Sequence, residues 1–206
     1  VRAYAAVQAI KENKPKLLVG ARLVFVDGTP DILAYPTDRA AYGHLCRLLS
    51  AGKLRAPKGE CHLALHDLLK WQEGLLLVVM APHPGQKERV DDSPKNFWNK
   101  TLAEEDEEVG ELPDEIYSGS PRISSEEIQS LLENLLGAAP GRLWLGVSMP
   151  HKGDDRRRLR EWQRVARAAG VPLLATNDVL YHSPERRELQ DVVICIREHV
   201  TLNEAG

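Results

Sequence analysis

The feature that most constrains the fold is the alternation of wholly apolar runs with amphipathic helical patterns. LLLVVMAP (75–82), RLWLGVS (142–148) and PLLATND (172–178) lack the alternating polar positions that mark a half-exposed strand. Runs of this kind are typical of strands buried on both faces, as in parallel sheets. Because helical patterns separate them, the sequence predicts repeated βα units in a barrel or a doubly wound fold.

Upstream of these runs the sequence predicts helices and a hairpin. In chain order they are an amphipathic helix at 1–14, strands at 16–26 and 31–36, and helices at 39–52 and 66–74. Asp27-Gly28 predicts the turn that joins the two strands. Gly52 is the predicted end of the helix before it, because glycine commonly follows the last helical turn.

Three further helices are predicted at 123–138, 154–170 and 183–199. Ser124 and Glu127 have capping-box spacing at the start of the first, and Gly137 is its predicted end. Ser183-Pro184 places an N-cap and a first-turn proline at the start of the last helix. We expect Trp144 and Trp162 at core positions.

Composition predicts an ordinary globular protein, and 206 residues can form one large domain or two small ones; the resemblance described below implies a single domain segment over 1–206. The sequence is 43% hydrophobic, carries a net charge of −3 and has no apolar run long enough for a membrane span. No signal-peptide pattern is present, so we expect a cytoplasmic location. Residues 84–122 are polar, with an acidic cluster at 104–108, and predict a loop or an insertion. Cys46, Cys61 and Cys195 lack CxxC spacing, which favours idle thiols.

Polar side chains that follow predicted strands are the candidates for chemistry, because strand ends carry the active sites of parallel barrels. These residues are Asp38, His83, His151 and Asp178. Histidine and carboxylate side chains together suit a zinc or manganese site, although no HxH or HExxH spacing is present. There is no Walker loop, no GxGxxG and no nucleophile elbow at Ser148.

A row of arginines opens the helix at 154–170: Arg156, Arg157, Arg158 and Arg160. Such a row is typical of the solvated face of an amphipathic helix, and it can also contact phosphates. The net charge of −3 argues against binding of nucleic acid by this segment alone.

Three stretches together resemble the PHP domain of bacterial C-family DNA polymerases, most closely the error-prone, damage-inducible subfamily. They are LLVGARLVF, the run from ILAYPTDRAAYGHLCRLLSAGK to APKGE, and ATNDVLYHSPERRELQDVVICIREHVTLNEAG. The resemblance covers the chain apart from the acidic stretch around 92–122. It implies a distorted (β/α)7 barrel, mostly of parallel strands with alternating helices, here truncated so that the first βα units are missing.

The resemblance also implies a cluster of divalent metals at the strand ends, and it places degenerate residues at several ligand positions. Arg22 occupies the place of a glutamate, Asp31 that of a histidine and Ala81 that of a cysteine. In the terminal DxH pair Asp178 remains and Leu180 replaces the histidine. The family's first two metal motifs would lie upstream of Val1. A guanidinium offers no lone pair to a metal, so Arg22 cannot be a ligand.

We hypothesise that Arg22 replaces the missing cation by forming a salt bridge with Asp178. The alternative is that Arg22 points to solvent from an edge strand. Asp178 is then a vestigial ligand, and His83 and His151 are weak candidates beside it.

The resemblance supports two functions for the chain. The first is a structural PHP module without activity of its own, in an error-prone DNA polymerase that copies damaged DNA in translesion synthesis and repair. That parent would use Mg²⁺ and deoxynucleoside triphosphates, while this segment would need no cofactor. The alternative is a metal-dependent phosphoesterase or 3′–5′ proofreading exonuclease that uses Zn²⁺ or Mn²⁺. A free-standing binding module would require the resemblance to be accidental.

The expected partners are the rest of the polymerase chain and, through it, DNA and dNTPs, with no membrane. A truncated barrel also exposes an unpaired strand edge, so we expect either that this fragment self-associates through that edge or that its N-terminal portion is present but disordered.

Overall fold

A five-stranded mixed sheet is the centre of the structure. The computed structural model describes residues 2–82, 123–149, 153–177, 179, 181–198 and 200–202. The strands, in sheet order and chain order alike, are β1 (Ala21–Leu23), β2 (Ile32–Pro36), β3 (Leu75–Met80), β4 (Leu143–Val147) and β5 (Leu173–Ala175). In the described ranges the sheet is open, with β1 and β5 at its edges.

The strand directions differ from the mostly parallel expectation. β2 is antiparallel to both β1 and β3, whereas β3, β4 and β5 are parallel. The antiparallel pairing of β1 with β2 confirms the predicted hairpin at Asp27-Gly28, and Gly28 has a φ of 81° that suits its place in the turn. The described fold is α/β, and a barrel is not formed by these residues.

The described α-helices are α1 (Arg2–Ala9), α2 (Arg39–Arg55), α3 (Leu65–Trp71), α4 (Ser125–Ala138), α5 (Asp155–Ala168) and α6 (Arg187–Glu198). Helices α2 to α5 supply the buried side chains that pack with the inner face of the sheet. Strand residues such as Leu23, Ile32, Leu77 and Leu145 are fully buried there. α1 buries no side chain, so its amphipathic pattern does not join the core.

Local sequence explains several helix boundaries. The Glu127 amide donates to Ser124 Oγ at 3.1 Å and the Ser124 amide donates to Glu127 Oε2 at 2.6 Å, which confirms the predicted capping box of α4. Gly137 lies inside α4, one residue before its end. A short 3₁₀ helix at Pro184–Arg186 precedes α6, where one continuous helix was predicted.

Gly52 does not end α2, contrary to the prediction. The helix continues to Arg55, and Gly52 is buried where it crosses the segment after the helix. A Cβ at Gly52 would lie 2.6 Å from Leu63 Cδ2 and 2.8 Å from Cys61 Sγ. Close packing, rather than a C-terminal turn, therefore explains this glycine.

The opposite face of the sheet is not the one on which α2, α4 and α5 pack. Its residues alternate with the core residues and are mostly apolar: Leu33, Tyr35, Leu76, Val78, Met80, Trp144 and Leu174. We call this set the open face. Trp144 is half-buried on it, so the prediction that Trp144 lies in the core is wrong, whereas Trp162 is buried as predicted.

Helix α6 has a second uncovered apolar surface. Leu189, Val192, Val193 and Ile196 recur at helical spacing and are all exposed, while Cys195 is buried. An apolar stripe of this kind normally packs against another element.

Candidate functional site

The strand ends that could carry a site meet at one edge of the sheet. β1, β3, β4 and β5 run in the same direction because each neighbour of β2 is antiparallel to it. Arg22 lies near the end of β1, Ala81 directly follows β3, and Thr176 follows β5. Asp31 precedes β2 and reaches the same edge, where its carbonyl accepts from the Met80 amide at 2.9 Å.

Arg22 and Asp31 form an ion pair at this edge. Arg22 Nε donates to Asp31 Oδ2 at 2.6 Å, and the two side chains are 32% and 24% exposed. The pairing register puts Arg22 opposite Leu33, so Asp31 is its diagonal neighbour on the same face. Arg22 lies on the edge strand β1, and its described ion-pair partner is Asp31.

Several predicted site residues lie outside the described residues. They are His83, His151, Asp178 and Leu180, together with the whole of 84–122. The predicted Arg22–Asp178 salt bridge is therefore untested and remains a prediction. In the sequence, Asp178 comes three residues after the last residue of β5.

Two of the remaining candidates have structural roles. Asp38 Oδ1 accepts from the Ala41 amide at 2.8 Å and caps the first turn of α2, so it is a helix cap rather than a catalytic carboxylate. Ala81 is buried and offers only a methyl group. In the described ranges no group of three or more His, Cys, Asp or Glu side chains could hold a metal ion.

A cavity of about 400 Å³ opens beside the ion pair. Its lining residues come from the segment before β1, from the open face and from the segment after β5: Leu18, Gly20, Ala21, Arg22, Leu33, Tyr35, Met80, Thr176 and Asn177. The Thr176 hydroxyl is buried and has no hydrogen-bond partner among the described residues. Sequence analysis missed Tyr35, Thr176 and Asn177, although the latter two directly precede Asp178.

Gly146, near the end of β4, is closely packed at this edge of the sheet. A Cβ at Gly146 would lie 2.8 Å from Val78 Cγ1 and 3.0 Å from Thr176 Cγ2. Gly146 belongs to β4, so β4 packs closely against Val78 of β3 and against Thr176 after β5, because only a hydrogen side chain fits at Gly146.

The predicted arginine row is divided between two environments. Arg156, Arg157 and Arg160 are exposed, as a solvated helix face predicts. Arg158 is buried, and its Nη1 lies 3.6 Å from Asp155 Oδ1. Arg158 therefore belongs to the core side of α5, next to Trp162, and not to the outer face.

The three cysteines are free thiols. Cys46 is exposed, Cys61 is half-buried and Cys195 is buried. Burial raises the pKa of Cys61 and keeps it as the neutral thiol, which is the opposite of what a nucleophilic cysteine requires. None of the described helices has the length and apolar content that crossing a membrane requires.

No protein-family model matches the chain. The chain is 47% identical over 194 residues to an error-prone DNA polymerase of Rhodopseudomonas palustris (strain BisB5), covering 94% of this chain and 14% of that protein. It is 48% identical to the error-prone DNA polymerase of strain BisA53, over 100% of this chain and 18% of the relative. The corresponding Bradyrhizobium diazoefficiens protein is 43% identical, over 100% and 15%. The chain thus matches a segment less than one fifth the length of these relatives.

Proposed function

From the homology of this chain to a segment of bacterial error-prone DNA polymerases, we propose that it is a structural module of such a polymerase. The enclosing protein would extend DNA past damaged template positions with Mg²⁺ and dNTPs, using catalytic residues outside this chain. The module would have no catalytic step of its own. Its task would be to support the polymerase body.

The ion pair between Arg22 and Asp31 is the observation that carries this proposal. By resemblance, these two positions would hold a glutamate and a histidine ligand in a metal-competent PHP domain. Here one is a permanent cation without a lone pair. Its charge is balanced locally by the carboxylate 2.6 Å away, so this part of the edge needs no metal for neutralisation.

The described residues do not fit the metal cluster that the resemblance implies. Arg22 repels a cation, and Ala81 has no donor atom. The remaining oxygen donors are Asp31, which is engaged by Arg22, and the neutral groups of Thr176 and Asn177. Zinc in proteins is held mainly by imidazole, thiolate and carboxylate groups and manganese by oxygen ligands that include carboxylates, whereas this set offers one engaged carboxylate and two neutral side chains.

We further propose that the open sheet is part of a PHP-type barrel that other residues of the polymerase chain complete. Apolar side chains are exposed on both surfaces, Leu174 on the open face and Leu189, Val192, Val193 and Ile196 on α6, and clustered exposed apolar side chains normally mark a contact. The relatives are at least five times longer than the matched segment, which supports a partner surface within the same polypeptide. Such packing would position this module firmly against the polymerase body.

The alternative function is a metal-dependent phosphoesterase or 3′–5′ exonuclease that uses Asp178, His83 and His151. To separate the two, exonuclease activity is measured on a 3′-labelled primer with Mn²⁺ or Zn²⁺, in the full-length polymerase and its Asp178→Ala variant. The structural proposal expects no nuclease activity in either protein and equal primer extension. Nuclease activity that Asp178→Ala abolishes would establish the enzyme function instead.

A further inference from the structure

Helix α5 carries a straight row of arginines on its outer surface. Arg156, Arg160, Arg164 and Arg167 are all exposed, and we call these four the arginine ridge. At 3.6 residues per turn, their positions fall within an arc of about 80°, and the row extends about 16 Å along the helix axis. The buried face of α5, which contains Trp162, Val165 and Ala166, anchors the ridge to the core.

The charge of the ridge is not neutralised within the described part of the chain. Arg22, Arg55, Arg158 and Arg187 each pair with a carboxylate, but none of the four ridge guanidinium groups does. The acidic residues of α5 itself are directed elsewhere. Asp155 is buried beside Arg158, and Glu161 accepts a hydrogen bond from Ser125 Oγ on α4.

The chemistry of the ridge fits a row of phosphates. Arginine binds phosphate oxygens through a planar fork of donors, and duplex DNA presents phosphates at regular short intervals along each strand. A membrane surface fits less well, because helices that bind in the membrane interface need an exposed apolar face. The apolar face of α5 is buried in the core.

We propose that the arginine ridge contacts the sugar–phosphate backbone of the primer–template duplex held by the polymerase. This inference rests on the proposed function, since it takes the enclosing protein to be a DNA polymerase. The ridge adds local, sequence-independent affinity for DNA to a segment whose net charge is −3. The module then contributes to holding DNA as well as to supporting the polymerase body.

The test measures binding of a fluorescein-labelled primer–template duplex to the full-length polymerase by anisotropy, between about 50 and about 200 mM KCl. In the ridge variant each of the four ridge arginines is replaced by glutamine. The control variant makes the same change of charge on other elements, at four exposed residues: Arg39, Lys53, Lys58 and Arg186. Glutamine is introduced in both variants because it is compatible with a helix.

The proposal expects the ridge variant to bind at least about tenfold more weakly at the highest salt than wild type. It also expects the slope of log K against log salt to fall by about two to four, because each lost phosphate contact removes about 0.9 from the slope on duplex DNA. The control variant should change the slope by less than about one. Equal behaviour of the two variants would overturn the proposal.

Two further measurements distinguish failure of this proposal from misfolding of the ridge variant and from failure of the proposed function. If the ridge variant does not fold, Arg160→Glu alone should still reduce the slope by about one or more, and an unchanged slope would overturn the proposal. Primer extension by the wild-type protein at saturating DNA tests the proposed function separately. The control variant should match wild type there, because none of its four residues belongs to the ridge.

Discussion

At the residue scale, the Arg55–Asp67 pair ties the end of α2 to the start of α3. The guanidinium donates to both carboxylate oxygens, at 2.8 and 2.9 Å, and Asp67 also accepts from the Ala64 amide at 3.0 Å. The hydrogen bonds from Arg55 lower the pKa of Asp67 from its ordinary 3.8 to about 2, against the opposing effect of burial. The carboxylate form is therefore favoured by folding.

This shift predicts that acid weakens the fold through Asp67. A folded-state pKa below the unfolded value gives a stabilisation that is complete above about pH 4.5 and is lost as the pH falls through about 2. Its size is roughly 1–2 kcal/mol, because half-exposed Arg55 is partly screened by solvent. In urea unfolding, the gap in unfolding free energy between wild type and Asp67→Asn should narrow by about 1 kcal/mol from about pH 7 to about pH 3. An equal gap at both pH values would contradict this assignment.

Sequence reasoning identified the anomaly at Arg22 and missed its described partner. A guanidinium at a ligand position is visible in one sequence. Asp31 could not be identified as its partner, because the diagonal contact depends on the register of β1 against β2. The bond to Asp178 remains a prediction for the same reason: only the relative placement of β1 and the segment after β5 can test it.

At the element scale, the two glycines of α2 predict opposite effects of the same substitution. Gly52→Ala should lower the free energy of unfolding by about 1–3 kcal/mol, because the new methyl meets Leu63 and Cys61 inside ordinary contact distance. Gly43→Ala adds its methyl in open space within the same helix. It should raise the free energy of unfolding by about 0.5–1 kcal/mol through helix propensity.

Urea unfolding of both variants tests this pair, with Gly43→Ala as the matched control for helix propensity. Stabilisation by both substitutions would mean that Gly52 is not closely packed.

The same helices show which boundaries the sequence could predict. The capping box at Ser124 was predictable because it is local, whereas Gly52 looked like a helix end because its neighbours are distant in the chain.

At the scale of the whole molecule, the alternation of apolar runs and helical patterns predicted part of the sheet correctly, but it did not predict the open face. The apolar runs correctly predicted β3, β4 and β5 as a parallel set. They also predicted burial on both faces; on the open face Val78 is buried, whereas Leu174 is 40% exposed. The turn at Asp27-Gly28 correctly predicted that β1 and β2 are antiparallel, whereas the antiparallel pairing of β2 with β3 was not predicted.

The proposed packing of the open face against the polymerase body predicts that Leu174 is buried in the full-length protein. Leu174 is 40% exposed here. Leu174→Lys should lower the melting temperature of the full-length polymerase by about 4 °C or more, because a charge would enter an apolar contact. Leu54→Lys, at a site on α2 that is 88% exposed, is the control and should leave it unchanged. Differential scanning fluorimetry measures both, and equal melting temperatures would place the open face in solvent.

The central claim is that this edge of the sheet is stabilised by an ion pair and needs no metal. The most direct test is the zinc and manganese content of the full-length polymerase, purified without chelator and measured by mass spectrometry. The account predicts less than about a tenth of an equivalent of either metal per chain, since a working site would retain its metal. A full equivalent that Asp178→Ala removes would contradict the account and make the edge a metal centre.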